Sequence, residues 1–212
     1  MCDMGHAPVT VLHVPSIRNK DQIREACLDA ARLSIIDLGW RRTTLTEVAR
    51  RAGVSRMTLY RSWADMGALL GDLLRREWSE LIRQENAYGI ETREQFVASI
   101  VAVTRAMRRS ELFRRVIELD PHLMLPYLLE RRGSAQDHLL AGYVATITAC
   151  QQTGQVRAGD PAAMARSLLL TGTGFLLSMR VMADDGVTED ALDAEFAHIL
   201  NRTLTPDETR PQ

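Results

Sequence analysis

Cysteine is scarce in this chain. Cys2, Cys27 and Cys150 are the only three, and no two form a CxxC pair. That excludes a disulfide scaffold and a zinc ribbon. Lysine is scarcer still: Lys20 stands alone, and every other basic side chain is an arginine. Aromatic residues make up only 5%, and no stretch sustains period-two alternation, so a sandwich or barrel is not expected. No apolar run approaches the roughly 18 residues that would cross a bilayer. No basic segment followed by an apolar one marks a secretory signal, and the expected compartment is the cytoplasm. The formal net charge is -1, which excludes a uniformly basic, histone-like binder. The histidines are scattered, and there is no HExxH, no Walker loop, no GxSxG and no GxGxxG after a strand. Neither a catalytic grouping nor a metal or cofactor site is expected.

What is present is an ordinary globular mix with an uneven charge. The 212 residues are 46% hydrophobic and 25% charged, enough for one large domain or two small ones. Residues 18–63 carry ten basic and five acidic side chains, a local charge of +5; everything after Ala64 carries 16 basic and 21 acidic, or −5. A basic first quarter on an acidic remainder points to an anionic partner for the N-terminal part.

The organisation reads as helical almost throughout. Residues 1–19 form an arm, with a short β-like stretch from Val9 to Val14. The first helix is expected over Asp21–Leu38, because Cys27, Ala31, Ile35 and Leu38 make one stripe of a 3.6-residue period. Gly39 stops it. Thr44 through Glu47 spell a capping box for a second helix, Gly53 breaks the chain, and Ser55 is an N-cap for a third helix, Arg56 to Trp63. A fourth is expected over Asp65–Gln84. Further helices are expected at Thr92–Arg108, Glu111–Leu119, Ala135–Thr153, Ala162–Ala183 and Glu189–Leu204, with a short segment after Pro121 and a polar tail over 206–212. That gives an all-α chain of nine to ten helices. Its expected divisions are a small basic unit over 20–64 and a larger, acidic one over 65–205.

Residues 44–63 have the spacing of a helix-turn-helix. Ala49 sits where two helices approach, and Gly53 sits where a left-handed backbone angle is cheap only for glycine. Val48, Val54 and Leu59 supply the small core between them. The second helix then projects Ser55, Arg56, Met57, Thr58, Tyr60 and Arg61. Short or flexible polar groups near its start suit base edges, and hydroxyls and cations along its flanks suit phosphate oxygens. Arg56 is the candidate for a guanine edge, where arginine can bond O6 and N7 together.

Gly39-Trp40-Arg41-Arg42-Thr43-Thr44, then Glu47-Val48-Ala49, Ala52-Gly53-Val54-Ser55, Thr58-Leu59-Tyr60 and Trp63, resemble the N-terminal signature of TetR-family transcriptional regulators. The resemblance covers about residues 21–75. It implies phosphate contacts by Thr44 and Tyr60, with Arg41, Arg42 and Thr43 beside them. Three positions depart from the family pattern: Trp63 replaces the usual phenylalanine, Met57 a small residue, and Met66 a phosphate-contacting lysine.

The resemblance also implies a ligand-responsive repressor of operator DNA, released by a small apolar or amphipathic effector. The expected effector pocket is lined by Trp78, Phe96, Met107, His122, Met124, Tyr127 and Tyr143. The last two helices imply a homodimer through a four-helix bundle. Leu169, Gly172, Phe175, Leu176, Met179, Phe196, Ile199 and Leu200 are its candidate interface. The alternative reading keeps the fold and the ligand but weakens or removes DNA binding, with Met57 and Met66 as its basis.

Overall fold

The computed structural model describes residues 17–85 and 90–206. The N-terminal strand-like stretch and most of the polar tail lie outside the described residues. The described residues form ten α-helices and no strand: α1 Ile17–Leu38, α2 Leu45–Ala52, α3 Arg56–Ser62, α4 Met66–Glu85, α5 Arg93–Arg109, α6 Glu111–Leu119, α7 Leu125–Leu129, α8 Ser134–Gln152, α9 Pro161–Met182 and α10 Glu189–Leu204. Single 3-10 turns at Trp40–Arg42 and Pro121–Leu123 interrupt the loops. Helix α1 begins at Ile17, so the last residues of the expected arm are its first turn.

Three apolar clusters hold the helices. The first joins Cys27, Leu28, Ala31 and Ile35 of α1 to Val48, Leu59 and Trp63, and extends to Leu69, Leu70 and Leu73 of α4 and to Leu112 and Val116 of α6. The expected division after residue 64 therefore falls inside one continuous core. The second gathers Phe96 and Ile100 of α5, Ile147 and Cys150 of α8, Leu168 of α9, and Phe196 and Leu200 of α10. The third is small: Met107, Phe113 and Leu176, flanked by Trp78, Leu81, Met124 and Leu177. Each fully buried leucine or phenylalanine contributes about 1.5–3 kcal/mol relative to exposure. Cys27 and Cys150 are among the buried residues, and burial pushes both thiols up from their ordinary value.

Helix α9 corrects one sequence expectation. Its 22 residues are long and apolar enough to cross a membrane by length and composition, although no such run was expected. It packs instead against α5, α8 and α10. Its N-terminus follows the expected pattern: Pro161 is the first helical residue, and the Asp160 carboxylate accepts from the Ala162 and Ala163 N–H groups.

Between α5 and α10 lies a buried ionic cluster. Arg108 donates from Nη2 to both Asp193 oxygens at 2.9 and 2.7 Å, and Arg105 donates from Nε to Asp193 Oδ2 at 2.8 Å. Asp193 is 2% exposed. A carboxylate this deep is tolerated because two guanidinium groups replace its water.

Candidate nucleic-acid interface and internal cavities

Helices α2 and α3 are set by local signals. Gly39 (φ 80°) ends α1, and Gly53 (φ 68°) takes the left-handed turn between α2 and α3. Thr44 Oγ1 accepts from the Glu47 N–H at 3.2 Å, and Ser55 Oγ accepts from the Thr58 N–H at 3.1 Å. The Thr44 capping box forms only by half. The Glu47 carboxylate turns to Arg50, accepting from its Nε at 2.9 Å and Nη2 at 2.6 Å. That hydrogen-bonded guanidinium holds the Glu47 carboxyl below its usual range. With Leu59 buried on the inner side, α3 turns Arg56, Met57, Tyr60 and Arg61 outward; Met57 is 65% and Tyr60 52% exposed.

The charges on this face divide into two groups. Arg50 pairs with Glu47, Arg51 with Asp37, and Arg41 with Asp120 through Nε at 3.1 Å. Among the described residues Arg42, Arg56 and Arg61 have no carboxylate partner, and all three are exposed. Two of the three stand on α3 itself. An arginine left without a carboxylate keeps its full donor fork for an anion.

Thr43 corrects a sequence expectation. It is buried, and its hydroxyl donates to the Gly39 carbonyl at 2.8 Å, so it braces the loop and meets no solvent-borne partner. Thr44 is exposed, and its cap uses only a lone pair, leaving the O–H to donate outward. Ser55 and Thr58 share a hydroxyl–hydroxyl bond at 2.8 Å, so one of their two protons is committed within the chain.

Two carboxylates that sequence reasoning did not single out anchor this unit. Asp72 of α4 accepts from Trp63 Nε1 at 2.7 Å and pairs with Arg24, whose guanidinium also lies 4.8 Å from the Trp63 ring centre. A phenylalanine at position 63 would lack that donor, which gives the departure to tryptophan a physical reason. Asp120, 2% exposed between α6 and the second 3-10 turn, accepts from the Trp40 N–H at 3.1 Å as well as pairing with Arg41. Met66 packs partly buried against the first core at the start of α4.

The seven expected pocket residues do not share one cavity. Trp78, Met124 and Tyr127 line an inner cavity of about 70 Å³ between α4, α7, α8 and α9. Phe96 and Tyr143 line a second one of about 200 Å³ between α4, α5 and α8. Their rings meet edge to face with centres 5.4 Å apart, and burial pushes the Tyr143 phenol up from its ordinary value. Leu139 belongs to the wall of both cavities. Met107 is packed in the third core, and His122 is exposed and lines neither cavity.

The expected dimer interface needs the larger correction. Gly172, Leu176, Met179, Phe196 and Leu200 are buried within their own chain, and Phe175 stacks on Phe196 with centres 4.3 Å apart. Leu169 lines the inner cavity. Of the eight, Ile199 alone is exposed. The apolar surface of α9 lies elsewhere: Leu170 is 74% and Val181 80% exposed, and Gly174 is open to solvent between them.

Comparison with known proteins agrees with this geometry. Residues 28–73 match the family model described as bacterial regulatory proteins, tetR family. Uncharacterized HTH-type transcriptional regulators of Mycobacterium tuberculosis and Mycobacterium bovis are 36% identical over 177 residues, spanning 84% of this chain and 92% of theirs. The fold is similar to that of the R. erythropolis transcriptional repressor QsdR from the TetR family (TM-score 0.65, 18% identity, 90% of this chain and 99% of that one). It is also similar to RolR in complex with resorcinol (TM-score 0.63, 15% identity, 92% and 97% covered) and to SmeT in complex with triclosan (TM-score 0.58, 20% identity, 90% and 95% covered). The chain therefore belongs to the TetR family: it is a transcriptional regulator with a helix-turn-helix, and not an enzyme.

Proposed function

We propose that this chain is a repressor whose hold on operator DNA is weakened by a small, mostly apolar effector. The observation that carries the DNA half is the set of cations without carboxylates, Arg42, Arg56 and Arg61, around the exposed face of α3. Arg56 stands at the first turn of α3, where a recognition helix meets base edges. Tyr60, Thr44 and Arg42 flank it as phosphate contacts. Arg41 is held by Asp120 through Nε alone, which leaves its two Nη groups to donate to phosphate.

The effector half rests on the inner cavity and on what touches it. Met124 lines the cavity and packs against both the first and the third core. It follows the 3-10 turn that begins beside Asp120, and Asp120 holds the Trp40 N–H and Arg41. A ligand that displaces Met124 would therefore bias the loop carrying Arg41 and Arg42. That is a population shift between two conformers with different operator affinity. The complexes of SmeT with triclosan and of RolR with resorcinol support a small-molecule effector for this fold.

A dimer completes the reading, because two recognition helices then meet two half-sites one turn apart. The surface we propose for it is the exposed apolar face of α9 at Leu170, Gly174 and Val181, with Ile199 of α10; Leu170, at one end of that face, also lines a surface groove between α7, α8 and α9.

The test is fluorescence anisotropy with DNA from the upstream region of the chain's own gene, at two salt concentrations, against scrambled competitor. Saturable, sequence-specific binding is expected, steeply weaker at the higher salt. Affinity no better than for scrambled DNA across that region would overturn the reading. It would favour instead a ligand-binding relative of the same fold in which Met57 and Met66 have replaced DNA contacts.

A further inference from the structure

The inner cavity does not end at its own walls. Tyr127, Leu128, Gln136, Leu169 and Thr173 line it and also line an outer groove of about 570 Å³ on the surface between α7, α8 and α9. The two adjoin across these five side chains and have unlike linings. The inner end is walled by Leu74, Trp78, Leu139, Leu176 and Leu177 and has no carboxylate, guanidinium or imidazole in its lining. The outer end has five charged residues: Arg131, Arg132, Arg166, Glu130 and Asp137.

The pairing within that outer end is incomplete. Arg132 donates from Nε to Asp137 Oδ1 at 2.8 Å, so those two charges cancel. Arg131 lies over the Tyr127 ring at 5.7 Å. Among the described residues neither Arg131 nor Arg166 has a carboxylate partner, and Glu130 is exposed and unpaired. Several other arginines of the region are paired, which sets these two apart from them. After residue 64 acids outnumber bases, and Arg76, Arg83, Arg105, Arg108 and Arg180 all hold carboxylates. Two guanidinium groups without carboxylates beside an apolar cavity suit an anion with an apolar body.

We propose that the effector is an amphipathic anion, with its apolar chain in the inner cavity and its anionic group between Arg131 and Arg166 in the outer groove. This rests on the reading of the inner cavity as the effector site. The volumes agree with a ligand that uses both ends. About 70 Å³ is too small for a whole effector, since ligand pockets run to roughly 300–1,000 Å³. The outer groove supplies the remainder. The chemistry agrees as well. A wholly apolar ligand would leave the arginines unused, and a cation would be repelled by them. A carboxylate or phosphate accepts two parallel N–H bonds from one guanidinium.

The experiment uses the full chain and three probes with the same ten-carbon tail: decanoate, decan-1-ol and decyltrimethylammonium. Affinities are read by titration calorimetry below the solubility limit of each probe. Decanoate is expected to bind about tenfold tighter than the alcohol, the equivalent of roughly 1.4 kcal/mol for one charge-assisted contact, and the ammonium weakest. In the double variant Arg131→Ala, Arg166→Ala the carboxylate should fall to the affinity of the alcohol, while the alcohol itself changes by less than about twofold. Equal binding of carboxylate and alcohol to the unmodified chain would overturn the proposal and leave the cavity reading standing. So would a preference that survives the double substitution. Failure of all three probes to bind would overturn both.

Discussion

The two parts of this chain are built by different means. In α2 and α3 the geometry is set within a few residues: Thr44 caps α2, Gly53 turns it, and Ser55 caps α3. The side chains that then reach outward, Arg56, Met57, Tyr60 and Arg61, have nothing to do inside the protein. In α5–α10 caps are present too, but what joins helix to helix comes from far along the chain. Asp193 meets Arg108 and Arg105 across 85 and 88 positions. The cavities of about 70 and 200 Å³ also lie there, against α8. The first region presents side chains on locally fixed helices and the second is a packed bundle with gaps, which suits the proposed roles of DNA reader and effector sensor.

The comparison breaks hardest at Asp193. Asp193→Ala strands two arginines, one of them buried, and is expected to cost about 3–5 kcal/mol in urea unfolding, while the isolated contribution of α3 to DNA binding is untouched. A change below 1 kcal/mol would show that the cluster is not the clamp between α5 and α10. Next comes Arg56→Ala, with the opposite signature. Operator affinity should fall by about 1–3 kcal/mol, yet the unfolding midpoint should stay within about 0.5 kcal/mol of the parent. Gly53→Ala tests whether local geometry governs the reader. No atom stands within 4 Å of the added methyl, so the roughly 1–2 kcal/mol loss expected is backbone strain alone. A thermal melt with no shift would refute it. The smallest effect is at Thr92, whose hydroxyl caps α5 while Gln95 reaches back to its N–H. Thr92→Ala is expected to cost about 1 kcal/mol by the same melt.

What the sequence made legible follows the same division. The bounds of α6 and α10 agree with the expectation to the residue, and α2 and α3 begin where Thr44 and Ser55 place them, because caps and glycine turns act locally. The reading failed where it needed to know which side of an apolar helix faces inward. Helix α9 is apolar on more than one side, so its large side chains were assigned to a partner, whereas Leu176 and Met179 were already taken by the chain's own core, as was Phe196 of α10. The exposed face is marked by Leu170, Gly174 and Val181, an apolar helical stripe like the buried one, so periodicity alone does not say which faces inward. Likewise the pocket residues were chosen for type, and their division into two cavities depends on α8 passing between them. Asp120 was invisible for another reason. A single aspartate before a proline reads as a turn, and its partners stand 80 positions upstream.

Leu139 lines both cavities, and none of the residues proposed to meet DNA lines either. A smaller side chain there would join both spaces into one longer room without altering α3. On the proposed function, the range of effectors could thus drift by a single codon change while the operator stays the same. Inheritance can retune the signal and leave the target alone.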